Sequence, residues 1–93
     1  MAEYRVFETN QFYKDLTKLA PHRENQIRAK LVKYCYPQIR QEPHFGPNIK
    51  RLKGWEPPTW RYRIGDWRFF YEIDEPNKIV SFLTIEHRRE AYR

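Results

Sequence analysis

The chain predicts an α+β domain in which two N-terminal helices, an αα-hairpin, pack on a mainly antiparallel, twisted four- or five-stranded sheet. Three observations carry this expectation. Apolar residues recur at helical spacing in the first third, as Phe12, Leu16 and Leu19, then as Ile27, Leu31, Tyr34 and Cys35. Residues 60–73 alternate about Gly65-Asp66, a strong hairpin signal. Residues 79–85 are rich in β-branched and large apolar side chains. The expected order is β-α-α-β-β-β-β, and a length of 93 residues suits one domain spanning 1–93.

Each element has a local reason. Residues 4–8 read as a short strand with Tyr4, Val6 and Glu8 on one side. Thr9 or Asn10 supplies a side-chain oxygen to cap the first helix. Pro21 suits the first turn of the second helix, and Pro37 is expected to stop it. Residues 37–47 hold three prolines and a glycine and read as an irregular connector. Ile49 and Leu52 open a strand, and residues 54–59, with Pro57-Pro58, form a turn. Gly65 at the first loop position suits a type II′ turn. Residues 79–85 lack clean alternation, as expected of a central strand covered on both faces.

Composition excludes several classes. With 40% hydrophobic and 17% aromatic residues, disorder is disfavoured. No apolar run approaches the ~20 residues of a membrane span, and residues 1–8 lack the apolar stretch of a signal peptide. Cys35 is the single cysteine, so neither an internal disulfide nor a Cys-rich zinc site is available. The expected compartment is the reducing cytoplasm. His22, His44 and His87 have no metal-ligand spacing, and Cys35 falls on the helical stripe as a core residue. No Gly-rich phosphate loop, paired-carboxylate site or Ser/His/Asp set is present.

The net charge is +6, and it is unevenly placed. In residues 50–71, Lys50, Arg51, Lys53, Arg61, Arg63 and Arg68 stand against Glu56 and Asp66, leaving +4. Residues 72–86 are acidic, and residues 87–93 are basic again. A two-residue loop sets the hairpin pairing, with Ile64 opposite Trp67, Arg63 opposite Arg68 and Arg61 opposite Phe70. One face then carries Trp60, Tyr62, Ile64, Trp67, Phe69, Tyr71 and Ile73 for the core. The other carries Arg61, Arg63, Arg68, Phe70 and Glu72. Like charges directly opposite each other destabilise a strand pair by a few tenths to ~1 kcal/mol. A solvated face with arginines paired to Glu72 or Asp66 is the plain alternative. Three guanidiniums beside an aromatic ring favour an anion site, since arginine forks match phosphate.

The ordered pattern Leu52-Lys53-Gly54, then Trp60 through Ile73, then Ile85-Glu86-His87-Arg88-Arg89-Glu90-Ala91-Tyr92 resembles the RelE/ParE family. These are toxins of type II toxin–antitoxin pairs, and the resemblance covers nearly the whole chain. It implies a RelE-like fold. For RelE-type members it implies a metal-free, cofactor-free endoribonuclease that enters the ribosomal A site and cuts mRNA there. The substrate's 2′-hydroxyl attacks the adjacent phosphorus and leaves a cyclic phosphate. It also implies an antitoxin that covers the basic surface, in a complex that binds operator DNA. ParE-type members share the fold but poison DNA gyrase. A third reading is a non-catalytic antitoxin-binding module.

Residue by residue, the resemblance assigns Arg61, Arg63, Arg68, Arg88 and Tyr92 to the catalytic set, with His87 at a position whose role varies. The arginines stay charged, with pKa above ~12, and suit the charge that builds on a scissile phosphate. Tyr92 is a candidate general base or stacking group. His87 has an ordinary pKa near ~6.5 and is the better generic acid or base; its plain alternative is a strand-end hydrogen bond to Glu86 or Glu90. Lys50, Arg51, Lys53, Trp55, Phe70 and Arg89 make up the expected RNA-binding set. For the Lys50–Lys53 group the plain alternative is a solvated edge strand, where lysines discourage aggregation.

Overall fold

In a computed structural model, which describes residues 3–87, strand β1 (Arg5–Glu8) leads into helix α1 (Asn10–Thr17). Thr9 is the cap. Its hydroxyl accepts from the Phe12 N–H at 3.2 Å and donates to the Phe82 carbonyl at 2.7 Å. One side chain therefore satisfies an orphan helix donor and ties the helix to the sheet. Helix α2 (Pro21–Lys30) begins at Pro21, where a missing N–H is harmless.

Pro37 does not stop the second helix, contrary to expectation. The chain passes through a π-turn (Leu31–Cys35) into a further helix, α3 (Tyr36–Gln41), with Pro37 in its first turn. A proline inside a regular helix loses a donor, and its ring presses on the carbonyl four residues back. Here the Tyr36 N–H bonds to the Leu31 carbonyl, five residues back, and the widened turn carries the helix past the ring. The extra residue also rotates the inward stripe. Leu31, Cys35, Tyr36 and Ile39 are buried, whereas Tyr34, expected inside, is exposed. The irregular connector accordingly begins after Gln41.

Four more strands follow: β2 (Ile49–Arg51), β3 (Trp60–Ile64), β4 (Trp67–Asp74) and β5 (Ile79–His87). The α+β class holds, with a mixed five-stranded sheet of order β1-β5-β4-β3-β2. A strand leads the helices, and the helical region has three α segments in place of the expected two. β1 runs parallel to β5, and the other pairs are antiparallel. The β3–β4 register is the expected one, with Arg63 opposite Arg68 and Arg61 opposite Phe70. Gly65 has φ +57°, as the first position of a type II′ turn requires. Between β4 and β5 the register shifts: Phe70 pairs with Thr84 but Tyr71 with Phe82, so Leu83 has no partner across the pair. β5 is an interior strand, but the helices cover one face of the sheet only, so the expected cover on both faces is not found; the bulge accounts for the missing alternation in residues 79–85.

The helical layer covers one face of the sheet. Phe12, Leu16, Ile27, Leu31 and Ile39 pack against Tyr62, Phe69, Tyr71, Val80 and Phe82, all at most 3% exposed. Phe82 is the hub, with ring centroids of Phe12, Tyr36 and Tyr71 at 5.3, 5.3 and 5.2 Å. Polar ties close the layer. The Tyr71 hydroxyl donates to the Pro43 carbonyl at 2.6 Å, and Asp15 on α1 accepts from the Thr84 hydroxyl at 2.6 Å and the Ile85 N–H at 3.2 Å. Among the described residues no helix is long and apolar enough to cross a membrane.

Phe82→Ala is expected to cost about 3–5 kcal/mol in urea unfolding, a loss of ring contacts plus a cavity. Phe7→Ala, at a site 62% exposed, should change stability by less than about 0.5 kcal/mol. Equal losses would contradict this core.

Asp15 gives a pH signature. Partial burial alone would push its carboxyl up, but the Thr84, Gln11 and Ile85 hydrogen bonds outweigh that and hold it below its ordinary value. A depressed carboxyl stabilises the fold above the unfolded-chain pKa, and that contribution fades as pH falls through the folded value. Asp15→Asn should therefore flatten the acid limb of a stability-versus-pH curve below about pH 5. An unchanged slope would show that Asp15 contributes nothing there.

Candidate nucleic-acid interface

Strand pairing builds the open face of the sheet residue by residue. Lys50 lies opposite Arg61, Arg61 opposite Phe70, Arg63 opposite Arg68, and Arg68 opposite Glu86. The helical layer occupies the other face, so these side chains share one side without helical cover. Lys50, Arg61, Arg63 and Arg68, with Leu52, Asp66 and Phe70, line a groove of about 320 Å³.

The three guanidiniums are held differently. Arg63 is exposed and folds back on the turn, its Nε donating to the Gly65 carbonyl at 3.0 Å. Arg68 is partly buried and donates from Nη2 to the Glu86 carboxylate, while its Nε is buried with no partner among the described residues. Arg61 is also partly buried. Burial, and after it the Arg63 and Arg68 charges, push its pKa below the ordinary arginine value. An arginine starts so high that it keeps its charge at neutral pH. The groove therefore concentrates like charge and compensates it incompletely. Among the described ion pairs neither Glu72 nor Asp66 pairs with an arginine; Glu86 does. A buried donor without an acceptor is a local cost in free energy.

Glu86 carries no sequence signal of its own. The bulge at Leu83 brings it opposite Arg68; continued without a shift, the Tyr71–Phe82 register would put Ile85 there. The same shift turns His87 away. Its partner is Trp67, a core-side residue, and the two rings meet edge-on at 4.6 Å. His87 lines a separate hollow with Asp15, Lys18 and Trp67, and Arg23 lies 5.6 Å from the Trp67 ring centre. His87 thus stands on the opposite side of the sheet from the arginines expected to share its chemistry. Arg88, Arg89 and Tyr92 lie outside the described residues.

The expected RNA-binding set divides as well. Lys50 and Phe70 line the groove. Trp55 stacks on Phe70, with ring centroids 5.9 Å apart and planes 12° from parallel. Lys53 and Arg51 line an adjoining hollow beside Trp55. Arg51 pairs opposite Trp60, and its guanidinium lies 5.6 Å from that ring's centre, toward the core-side edge. Cys35 is core, as expected, and burial pushes its thiol pKa far up. His44, expected on the surface, is a half-buried strut between Glu42 at 2.8 Å and Glu75 at 2.5 Å. Among the described residues no three His, Cys, Asp or Glu side chains group as a metal ion would need.

The class is a small α+β domain with one helical layer and an open sheet face rich in guanidinium groups. Residues 6–92 match the family model described as the ParE toxin of the type II toxin–antitoxin system parDE, so the chain belongs to this family of the RelE/ParE superfamily. It is 33% identical over 92 residues to Toxin RelG of Mycobacterium tuberculosis, with 97% of both chains covered. Among solved structures it resembles the toxin–antitoxin complex RelBE2 of M. tuberculosis, at 31% identity and TM-score 0.73 over 95% of this chain and 94% of that one. It also resembles the archaeal RelE–RelB complex of Pyrococcus horikoshii, at 26% identity and TM-score 0.57 over 92% and 96%.

Glu86→Gln removes the charge that occupies Arg68. Inorganic phosphate should then bind the groove about two- to fivefold more tightly, the scale of a partly exposed ion pair worth ~0.5–1 kcal/mol. Titration followed on the arginine Nε–H resonances checks this; weaker binding would mean that Glu86 orients Arg68 rather than competing with the anion.

Proposed function

We propose that this chain is the toxin of a toxin–antitoxin pair and acts as a metal-independent endoribonuclease, cutting mRNA on the ribosome in the cytoplasm. The observation that carries the reading is the convergence of Arg61, Arg63 and Arg68, with Lys50, in one uncovered groove. In the reaction the 2′-oxygen forms a bond to the adjacent phosphorus while the bond from phosphorus to the 5′-oxygen breaks. The products are a 2′,3′-cyclic phosphate and a free 5′-hydroxyl. Negative charge grows on the non-bridging oxygens as this happens, and fixed guanidiniums facing them lower the barrier. Arg61, Arg63 and Arg68 line the groove that would receive the phosphate.

The reaction also moves two protons: one leaves the 2′-hydroxyl and one reaches the 5′-oxygen. Our assignment of these steps gives Tyr92, with Arg88, to the groove. His87 fits less well, because its ring faces Trp67 on the helical side. Glu86 is the described carboxylate nearest the guanidiniums and the alternative proton acceptor. The antitoxin is read as a segment carrying negative charge that covers the same groove. The RelB-containing complexes among the similar structures support such a partner, and the toxin–antitoxin complex is read as the species that binds operator DNA.

A second reading, poisoning of DNA gyrase, draws support from the match to the ParE toxin model. One experiment separates the two. Primer extension on ribosome-bound mRNA should reveal cleavage by the wild type, and Arg68→Ala should reduce it by roughly 10²–10³-fold, the scale of losing one charge-stabilising donor. Equal cleavage by both proteins would sink the ribonuclease assignment. No cleavage together with inhibited supercoiling would favour gyrase.

A further inference from the structure

We propose that Trp55, stacked on Phe70, is a base-stacking platform beside the arginine groove, so that the site grips single-stranded nucleic acid by one phosphate and a neighbouring base. The inference rests on the nucleic-acid reading of the groove and adds the form of the ligand and the residue that recognises it.

Phe70 belongs to the open face yet is only 7% exposed. Trp55 covers it, nearly parallel at 12°, and remains 51% exposed itself. A lid serving stability alone needs no more than an aliphatic side chain. A flat indole laid parallel on a fixed ring instead offers π-surface to a planar ligand. The loop that carries it is anchored. The Leu52 N–H donates to the Thr59 carbonyl at 2.9 Å, and Thr59, 1% exposed, donates from its hydroxyl to the Pro57 carbonyl at 3.0 Å. Gly54, at φ +76°, turns the chain just before Trp55. An anchored platform loses little conformational freedom on binding.

The platform adjoins the charge. The arginine groove and the hollow beside Trp55, of about 320 and 400 Å³, share Leu52 as a common wall. Lys50 and Arg61 stand on one side of that wall and Lys53 on the other, while Glu56 and Asp66 are the acidic lining residues. Phosphate beside an aromatic face is the arrangement of a single strand, whose bases are free to stack on protein. In a duplex each base already lies between its neighbours. Stacking of this kind tolerates any base, so the platform adds affinity and registers the strand without reading its sequence.

The test uses a fluorescent six-nucleotide 2′-O-methyl RNA, which lacks the attacking hydroxyl, and the same strand with abasic positions. Fluorescence polarisation at low salt is measured for wild type, Trp55→Ala and Trp55→Phe. Trp55→Ala should weaken binding of the intact strand roughly 5- to 100-fold, Trp55→Phe should restore most of it, and the abasic strand should bind all three proteins alike. The salt dependence should be the same for wild type and Trp55→Ala, because the phosphate contacts remain. The wild-type contrast between intact and abasic strands decides the matter even if Trp55→Ala disturbs the fold. Equal binding of both strands by the wild type overturns the platform. So does Trp55→Ala binding the intact strand as tightly as wild type while losing affinity for the antitoxin, which would make Trp55 a protein contact. Base-dependent binding without ribosomal cleavage would defeat the ribonuclease reading and leave the platform standing; cleavage with base-independent binding would do the reverse.

Discussion

The two-residue turn at Gly65-Asp66 is the constraint on which the site depends. A strand has side-chain period two, so a slip of one residue would exchange the faces of a whole strand. Trp60, Tyr62 and Ile64 would move to solvent, and Arg61 and Arg63 would enter the aromatic core. Neither set tolerates the exchange: the core would acquire charges without partners, and the groove would lose its anion affinity. Burial of one face thus enforces the pairing of like charges on the other. Arg63 opposite Arg68 is a local cost that aromatic packing on the reverse of the sheet sustains.

The second determinant is the bulge at Leu83. It sets which residues of the last described strand share a side with the arginines. Ile85 goes to the core beside Phe69, Glu86 meets Arg68, and His87 closes on Trp67. The groove receives one counter-charge instead of a histidine. Asp15 stands at the same point, bonded to Thr84 and the Ile85 backbone, so helix α1 holds the irregular stretch in place. The electrostatics of the groove therefore depend on a helix that never touches it.

Much of this was legible in the sequence, and the limits have physical causes. The hairpin register, the aromatic face and the arginine face all follow from local alternation and a turn with one permitted geometry. Thr9 as a cap and Pro21 as a helix start are equally local. Pro37 does not end the helix because a proline's usual effect holds in a regular helix, whereas a π-turn precedes it here, and Tyr36 and Ile39 beyond it are buried. The resemblance and its acid–base chemistry bring His87 into the expected catalytic set, and neither carries information about which face of β5 it occupies. A bulge reverses that parity and leaves no mark in the spacing of apolar residues. Glu86 meets Arg68 through the same shift.

The parallel pairing of β1 with β5 joins Arg5–Glu8 to residues 79–82, across most of the chain. β5 is also an interior strand, flanked by β1 and β4. β1 consequently has no sheet neighbour until β5 has been made, and contacts so distant in sequence are slow to form. During translation the helices and the β3–β4 hairpin emerge before the strand that joins β1 to the sheet. A chain that stops before β5 therefore lacks both the partner of β1 and the Glu86 that pairs with Arg68.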